Sequence, residues 1–175
     1  MKYEALEVLK NRRAIRNYKA EQIKDEELDL VLEAGTYAPT GMGAQSPIIV
    51  AVQDPAELEK VWKLNARIAG RDGNTYYGAP TIVLVLSTGS KTEELAVLDA
   101  AAVCTNMLNA AYAVGLGSCW IHRCKEMFDT EEGKALLRAW GLPDTLRGVA
   151  SIALGYADCE HPKAPPRKEN YIVKI

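Results

Sequence analysis

Four cations fall within eight positions of the sequence: Arg12, Arg13, Arg16 and Lys19, in the stretch RRAIRNYK. A guanidinium is a planar, permanently charged fork of N–H donors, and the groups that match it are phosphates and carboxylates. The cluster stands out because the 175-residue chain carries 21 Lys+Arg against 23 Asp+Glu, a formal net charge of -2. Arg12 and Arg16 share a face if the first helix persists to Arg16, and flank a turn if it ends at Arg13. A second basic pair, Arg167 and Lys168, follows Pro165-Pro166, which hold the chain extended and stiff. Between the two lies Ala38-Pro39-Thr40-Gly41-Met42-Gly43-Ala44-Gln45-Ser46-Pro47. Its two prolines and two glycines exclude both regular structures and make it a loop. Either basic cluster alone is equally consistent with a solvated surface. Together with the loop ending in Gln45, they suggest a phosphate-bearing, planar ligand.

Other chemistries lack their residues. No GxxxxGK[ST] loop occurs, and Gly115-Leu116-Gly117 has no third glycine at the right spacing and follows a helix, so it reads as a helix end and turn. Cys119, His122 and Cys124 lack a fourth ligand at zinc spacing, so no metal site is expected. A cysteine nucleophile would need a base and an orienting group, and His122 and His161 are the only histidines. A pI of about 5.8 argues against a nucleic-acid partner. The run Ile82–Leu86 is strand-sized, far short of the roughly 20 residues of a membrane span. No other segment is expected to cross a membrane, and the charged N-terminus does not resemble a signal peptide. Four cysteines in unlike contexts do not form a secreted disulfide pattern. A cytoplasmic, reduced protein is expected.

The elements that must position these residues follow from periodicity and caps. The spacing predicts helices over 3–13, with Leu6, Val8 and Leu9 on one side, and over 25–34, with Leu28, Val31 and Leu32 inward and Gly35 as terminator. Ile48–Val52 reads as a buried strand, and Asp54-Pro55-Ala56-Glu57 as a capped helix start carrying Leu58, Val61 and Trp62. A glycine-rich connection over 65–78 precedes Pro80 and a strand over 81–86. Ser90 and Glu93 form a capping box for a helix over 92–114 that is apolar on nearly all faces and thinned by alanines. Such a helix is buried in a core or in a subunit interface, and the chain's size favours the interface. A strand over 118–121, a helix capped by Asp129 and Glu132 and stopped by Gly141 and Pro143, a strand over 149–154 and a terminal strand over 171–173 complete the reading. Strands interleaved with helices make one α+β or mixed α/β domain over residues 1–175.

In order along the chain, six pieces then resemble the nitroreductase family of FMN-dependent oxidoreductases. Arg12-Arg13-Ala14-Ile15-Arg16-Asn17-Tyr18 resembles its N-terminal RRSxRxF signature, and residues 38–47 resemble its APSxxNxQPW loop. Gly78-Ala79-Pro80, Gly115-Leu116-Gly117-Ser118-Cys119-Trp120-Ile121, Leu154-Gly155-Tyr156 and Pro166-Arg167-Lys168 complete the set. No one piece is specific; six in order are. The resemblance implies an α+β sandwich around a mixed, mainly antiparallel sheet. It also implies a homodimer with FMN at the subunit interface and the long apolar helix at its centre, with the C-terminal residues 171–175 crossing to the partner's sheet.

Residue by residue, the resemblance implies that Arg12 and Arg13, with Ala14 between them and Arg16, contact the FMN phosphate and ribityl chain. Arg16 would stand by the N1/O2 edge, where a fixed cation stabilises the negative charge that reduction adds. Pro39, Thr40 and Gly41 would line the cofactor from the other subunit, with Gln45 nearby. Backbone groups of Cys119, Trp120 and Ile121 would face the ring around N5 and O4, and Arg167 and Lys168 would close on the phosphate. The implied activity is ping-pong hydride transfer from NADH or NADPH through FMN to nitroaromatic or quinone-type acceptors, with no side chain required as acid or base. The alternative is a flavin-binding protein without turnover, for sequestration or sensing. Three departures are visible: Ala14 replaces the family's Ser, Gly43 its Asn, and the Trp after Gln-Pro is missing.

Overall fold

The continuous apolar run at residues 82–86 becomes the middle of the protein. In the computed structural model, which describes residues 4–88 and 92–175, the strand β2 (Thr81–Ser87) is buried at every position. A run without polar alternation belongs in a strand covered on both faces. It lies in a four-stranded sheet with β1 (Pro47–Val52), β3 (Gly117–Ile121) and β4 (Arg147–Gly155), in the order β1-β2-β4-β3. At the edge of that sheet β1 is buried only at Val52, not throughout as expected, because one side of an edge strand has no neighbour. Every neighbouring pair of these strands is antiparallel. The parallel part of the expected mixed sheet is a single bridge, Ala14 to Ser118.

Alternate residues of β2 feed two cores. Ile82, Leu84 and Leu86 pack with Val61, Leu64, Tyr76, Met127 and Leu137, beneath α3 (Pro55–Ala69), α5 (Cys124–Phe128) and α6 (Glu131–Ala139). Val83 and Val85 pack with Val31, Val103, Cys104, Met107 and Ala111, beneath α2 (Asp25–Thr36) and α4 (Glu93–Ala113). The result is an α+β sandwich with helices on both faces of the sheet.

The α4 helix packs into its own domain on one side, which the expected interface position did not include, and leaves another side open. Ala100, Cys104, Met107 and Ala111 are fully buried within the chain, whereas Val97 and Leu98 on another side are 47% and 58% exposed. Its alanines let α2 approach closely, and Gly35 sits at the contact: a Cβ there would stand 2.8 Å from Met107 Cγ. Gly35 is therefore a packing residue inside α2, which continues to Thr36, and not its terminator. By length and composition Glu94–Ala113 also passes as a membrane span, contrary to the expectation that no segment does. In this fold 44% of that window is buried against the chain's own elements.

Local capping explains the other differences. The first helix, α1 (Glu4–Asn11), is shorter than predicted and leaves Leu6 and Leu9 exposed. Asp54 caps α3 by accepting from the amides of Ala56 and Glu57, but Glu57 completes no capping box, bonding Lys60 and Trp140 instead. The same helix runs through Asn65, where a connection was predicted, and stops at Gly70 with φ 61°. Thr92 caps α4, accepting from Leu95 N at 3.1 Å; the Ser90–Glu93 capping box lies outside the described residues. Thr130, and not Asp129, caps α6 through Gly133 N, and α5 was not anticipated. Residues 171–173 form no strand with this chain and stand exposed.

Candidate functional site

The arginine segment is a strap along the free edge of β3. The α1 helix closes with Arg12 N donating to Val8 O, so it does not persist to Arg16. Beyond it the chain is extended: Ile15 N donates to Ser118 O at 3.0 Å, and Lys19 N to Tyr156 O at 3.0 Å. Ile15 and Tyr18 point inward and are buried. The Tyr18 hydroxyl donates to Ile15 O at 2.7 Å, with Ala153 O at 3.2 Å. Burial keeps that phenol protonated, far above its ordinary pKa. With both anchors in the core, Arg16 is left exposed at the surface.

Arg12 and Arg16 both act on Cys119. Burial raises the Cys119 thiol pKa, and the charges of Arg16 and then Arg12 pull against that rise without cancelling it. Arg16, Cys119, Trp120 and Ile121 line one cleft of about 580 Å³. Because Ser118 uses its backbone toward the strap, the antiparallel alternation puts the main chain of Trp120 on the same outer side of β3.

Arg12, Arg13 and Ser118 line an adjoining cleft of about 110 Å³. Arg13 Nη1 donates to the carbonyls of Lys10 (2.8 Å) and Arg12 (2.6 Å), which fixes its fork. Its Nε and the Ser118 hydroxyl are buried with no partner. Buried polar atoms without partners are uncommon and costly, so two at one small cleft mark a place for a polar ligand. Arg12, Arg13 and Arg16 form no ion pair among the described residues, whereas Lys10, Lys60, Arg67, Arg123 and Arg138 each hold a carboxylate. Ala14 has no hydroxyl to offer; Ser118, bridged to it, has one.

The loop lies elsewhere. Residues 41–43 form a single 3₁₀ turn, with Met42 at φ 57° and Gln45 at φ 48°. Asp99, buried in the middle of α4, accepts from Gly41 N at 2.8 Å and Ser46 Oγ at 3.3 Å. Thr40 Oγ1 accepts from Gln45 N at 3.0 Å. Thr40 and Gln45 line a largely apolar cleft of about 390 Å³ beside Pro47, Ile49 and Val103, and Pro39 is exposed. This loop enters β1, and β1 and β3 are opposite edges of the sheet. Three strand spacings of about 4.8 Å separate them, so one chain does not bring the loop to the arginines.

Arg167 and Lys168 are exposed on the tail and line neither arginine cleft, with Lys168 Nζ lying 4.9 Å over the Tyr171 ring. Part of the chain after β4 does reach the strap: Asp158 N donates to Asn17 O at 3.0 Å and Asn17 Nδ2 to Asp158 O at 2.7 Å, while His161 Nε2 lies 2.8 Å from Asn11 O at the end of α1 and its ring 5.5 Å from that of Tyr112. All four cysteines are free, and no group of His, Cys, Asp or Glu among the described residues is arranged to hold a metal. The sequence reading missed Asp99, whose signal was a carboxylate inside an otherwise apolar helix. It also missed Ser118, Arg71 and Arg123, which carry no local signal.

Comparison with known proteins places this geometry in context. The sequence pattern of the nitroreductase family matches residues 9–71 and 68–156. A Bacteroides fragilis nitroreductase, crystallised with bound FMN, superposes with a TM-score of 0.88 at 31% identity, covering 98% of each chain. A Desulfovibrio desulfuricans protein, provisionally named a nitroreductase and solved in complex with FMN, superposes at 0.76 with 28% identity, covering 98% of this chain and 96% of its own. An Archaeoglobus fulgidus protein provisionally named NADH dehydrogenase/NAD(P)H nitroreductase is 29% identical over 157 residues, 87% of this chain and 85% of its own length. Six ordered motifs, a shared sandwich and a family match over most of the sequence agree, and the chain belongs to the nitroreductase family.

Proposed function

We propose that the chain is an FMN-dependent oxidoreductase. Residues 1–175 act as one domain of a homodimer that moves hydride from NADH or NADPH to nitroaromatic or quinone-type acceptors in a ping-pong cycle. The observation that carries this reading is the strap: three arginines without carboxylate partners, pinned along β3, with Arg13 Nε and Ser118 Oγ buried and unsatisfied beside them. The relatives described with FMN, and the one named for NAD(P)H, support the choice of cofactor and donor.

FMN, when bound, supplies hydride transfer through its ring nitrogen N5. The protein's part is to hold, orient and polarise it. Arg12 and Arg13, with the Ser118 hydroxyl, hold the phosphate end, and Ala14 gives the backbone room beside them. Arg16 provides a fixed positive charge against the ring, which favours the added negative charge of reduction without reorganisation of solvent. Cys119, Trp120 and Ile121 offer the strand edge on which the ring rests. Cys119 itself stays a neutral thiol, consistent with a packing role.

The second wall comes from the partner: Pro39, Thr40, Gly41 and Gln45 of one subunit meet the strap of the other, because the two lie on opposite edges of each sheet. The exposed apolar residues Leu6, Leu9, Val97 and Leu98, and Ile172 and Val173 on the tail, give a dimer apolar surface to bury. Arg167 and Lys168 travel on that tail and reach the phosphate only in the assembled pair.

The test is direct. The purified protein is expected to show a flavin absorbance spectrum, sediment as a dimer and oxidise NADH or NADPH in the presence of a quinone. Flavin retained without NAD(P)H oxidation would favour the sequestering or sensing reading, and a protein with no affinity for FMN would overturn both.

A further inference from the structure

The cleft lined by Arg16 and Cys119–Ile121 has a second group of charged residues, contributed by two chain corners. At the first, α3 ends in a tight pair of hydrogen bonds: Arg71 N donates to Ala66 O at 3.0 Å and Gly70 N to Arg67 O at 3.2 Å. That arrangement, with Gly70 left-handed, fixes where Arg71 leaves the helix. At the second corner, between β3 and α5, Arg123 itself adopts φ 78°. A left-handed turn is easier for Gly or Asn, and an arginine held there points to a use for its side chain. Asn65, buried in α3, ties the corner down by donating to His122 O at 2.8 Å.

Around this cleft of about 580 Å³ stand four cations, Arg16, Arg71, Arg123 and Lys125, and one carboxylate, Glu126. The rest of the chain must then be acidic, since the total is -2. Arg123 bonds Glu126 at 2.8 Å through one of its five N–H donors, and Lys125 bonds Asp129 at 2.7 Å. Arg71 holds no carboxylate among the described residues. Thr75 Oγ1, also on the lining, is buried without a partner. Positive charge concentrated in a concave site, with an unsatisfied hydroxyl beside it, favours an anion.

We propose that Arg71 and Arg123 bind a carboxylate or phosphate carried by the substrate that meets the flavin. This rests on the FMN reading above. The two arginines act as specificity residues: they recognise a part of the substrate away from the reacting atoms. The anionic group belongs either to the acceptor or to the donor, and the two sources separate experimentally.

The protein as purified, with its flavin content measured first, is titrated calorimetrically with 4-nitrobenzoate and with the neutral 4-nitrobenzamide. KM values for both, and for NADPH against NADH, are measured alongside. The expected result is about tenfold tighter binding of the anion than the amide, or of NADPH than NADH, weakening with salt. Arg71→Gln combined with Arg123→Asn, which tolerates the left-handed backbone, erases that ratio while the thermal midpoint and flavin content report on folding. Loss of the nitrobenzoate preference assigns the anion to the acceptor, and loss of the NADPH preference assigns it to the donor. Flavin present with no preference in either pair, or a preference the variant keeps, overturns this inference alone. Absence of flavin affinity overturns it together with the function on which it rests.

Discussion

The two edges of the sheet are built in different ways. At the β3 edge, the arginine strap is braced within its own chain by Ile15, Tyr18 and backbone bonds to Ser118 and Tyr156. At the β1 edge, the loop of residues 39–45 is largely exposed and is tied by the buried Asp99 carboxylate at Gly41 and Ser46 and by the Thr40 hydroxyl at Gln45. The first edge is a finished half-site with polar atoms waiting for a ligand. The second is a shaped flap with an apolar cleft behind it. The difference teaches that charge and backbone precision are supplied in cis, and enclosure is left to another surface.

The comparison can be broken most severely from the strap side. Ile15→Ala empties a buried position against β3, next to Gly117, where a Cβ would stand 3.0 Å from Ile15. Urea unfolding is expected to show a loss of about 2–5 kcal/mol, with the retained flavin falling in parallel. Retained flavin with that loss of stability would mean the strap does not position the arginines. Asp99→Ala strands Gly41 N and the buried Ser46 hydroxyl, and should cost about 1–3 kcal/mol in the same measurement. Asp99→Asn, keeping an acceptor, should recover part of this.

Arg16→Ala is expected to separate function from stability. The side chain is exposed and unpaired, so the unfolding free energy should move by no more than about 0.5 kcal/mol. FMN affinity should weaken about tenfold, and hydride uptake from NAD(P)H should slow. Unchanged flavin affinity and rate would remove Arg16 from the site. The smallest effect is chemical. Burial raises the thiols of Cys104 (to about 12), Cys119 and Cys124, and Cys159 alone is exposed. At pH 8 iodoacetamide should modify Cys159 first by mass spectrometry, with Cys119 protected despite its two neighbouring arginines.

Much of this was legible because it is local. Asp54 before Pro55, the unbroken apolar run at 82–86 and Gly115 after the end of α4 carry their signal within a few residues, and each appears where it was expected. The errors share a different cause. Gly35 looked like a terminator because helices often end at glycine, yet its missing side chain serves Met107, more than seventy residues away. Asn65 looked like the start of a connection, yet its amide reaches His122 from inside a helix. The α4 helix was legible as apolar on nearly all faces, but its sequence did not show that α2 and the sheet of its own chain cover one side while Val97 and Leu98 stay exposed on another. Asp129 and Thr130 are adjacent possible caps, and only the backbone direction selects Thr130.

The sequence by itself determined the types of group available: a cluster of guanidiniums near the N-terminus, a Gly/Pro loop, an apolar strand-length run at 82–86 and the order of motifs that joins the chain to its family. These depend on residue chemistry and on periodicities of two and 3.6, which a linear string records. Only the tertiary structure decided which groups meet. It set Ser118 beside Arg13, put Arg71 and Arg123 on the cleft that Arg16 lines, gave the loop to Asp99 and set loop and strap on opposite edges of one sheet. The physical reason is that strand order and close approach depend on packing between residues far apart in sequence, and no local pattern encodes that distance.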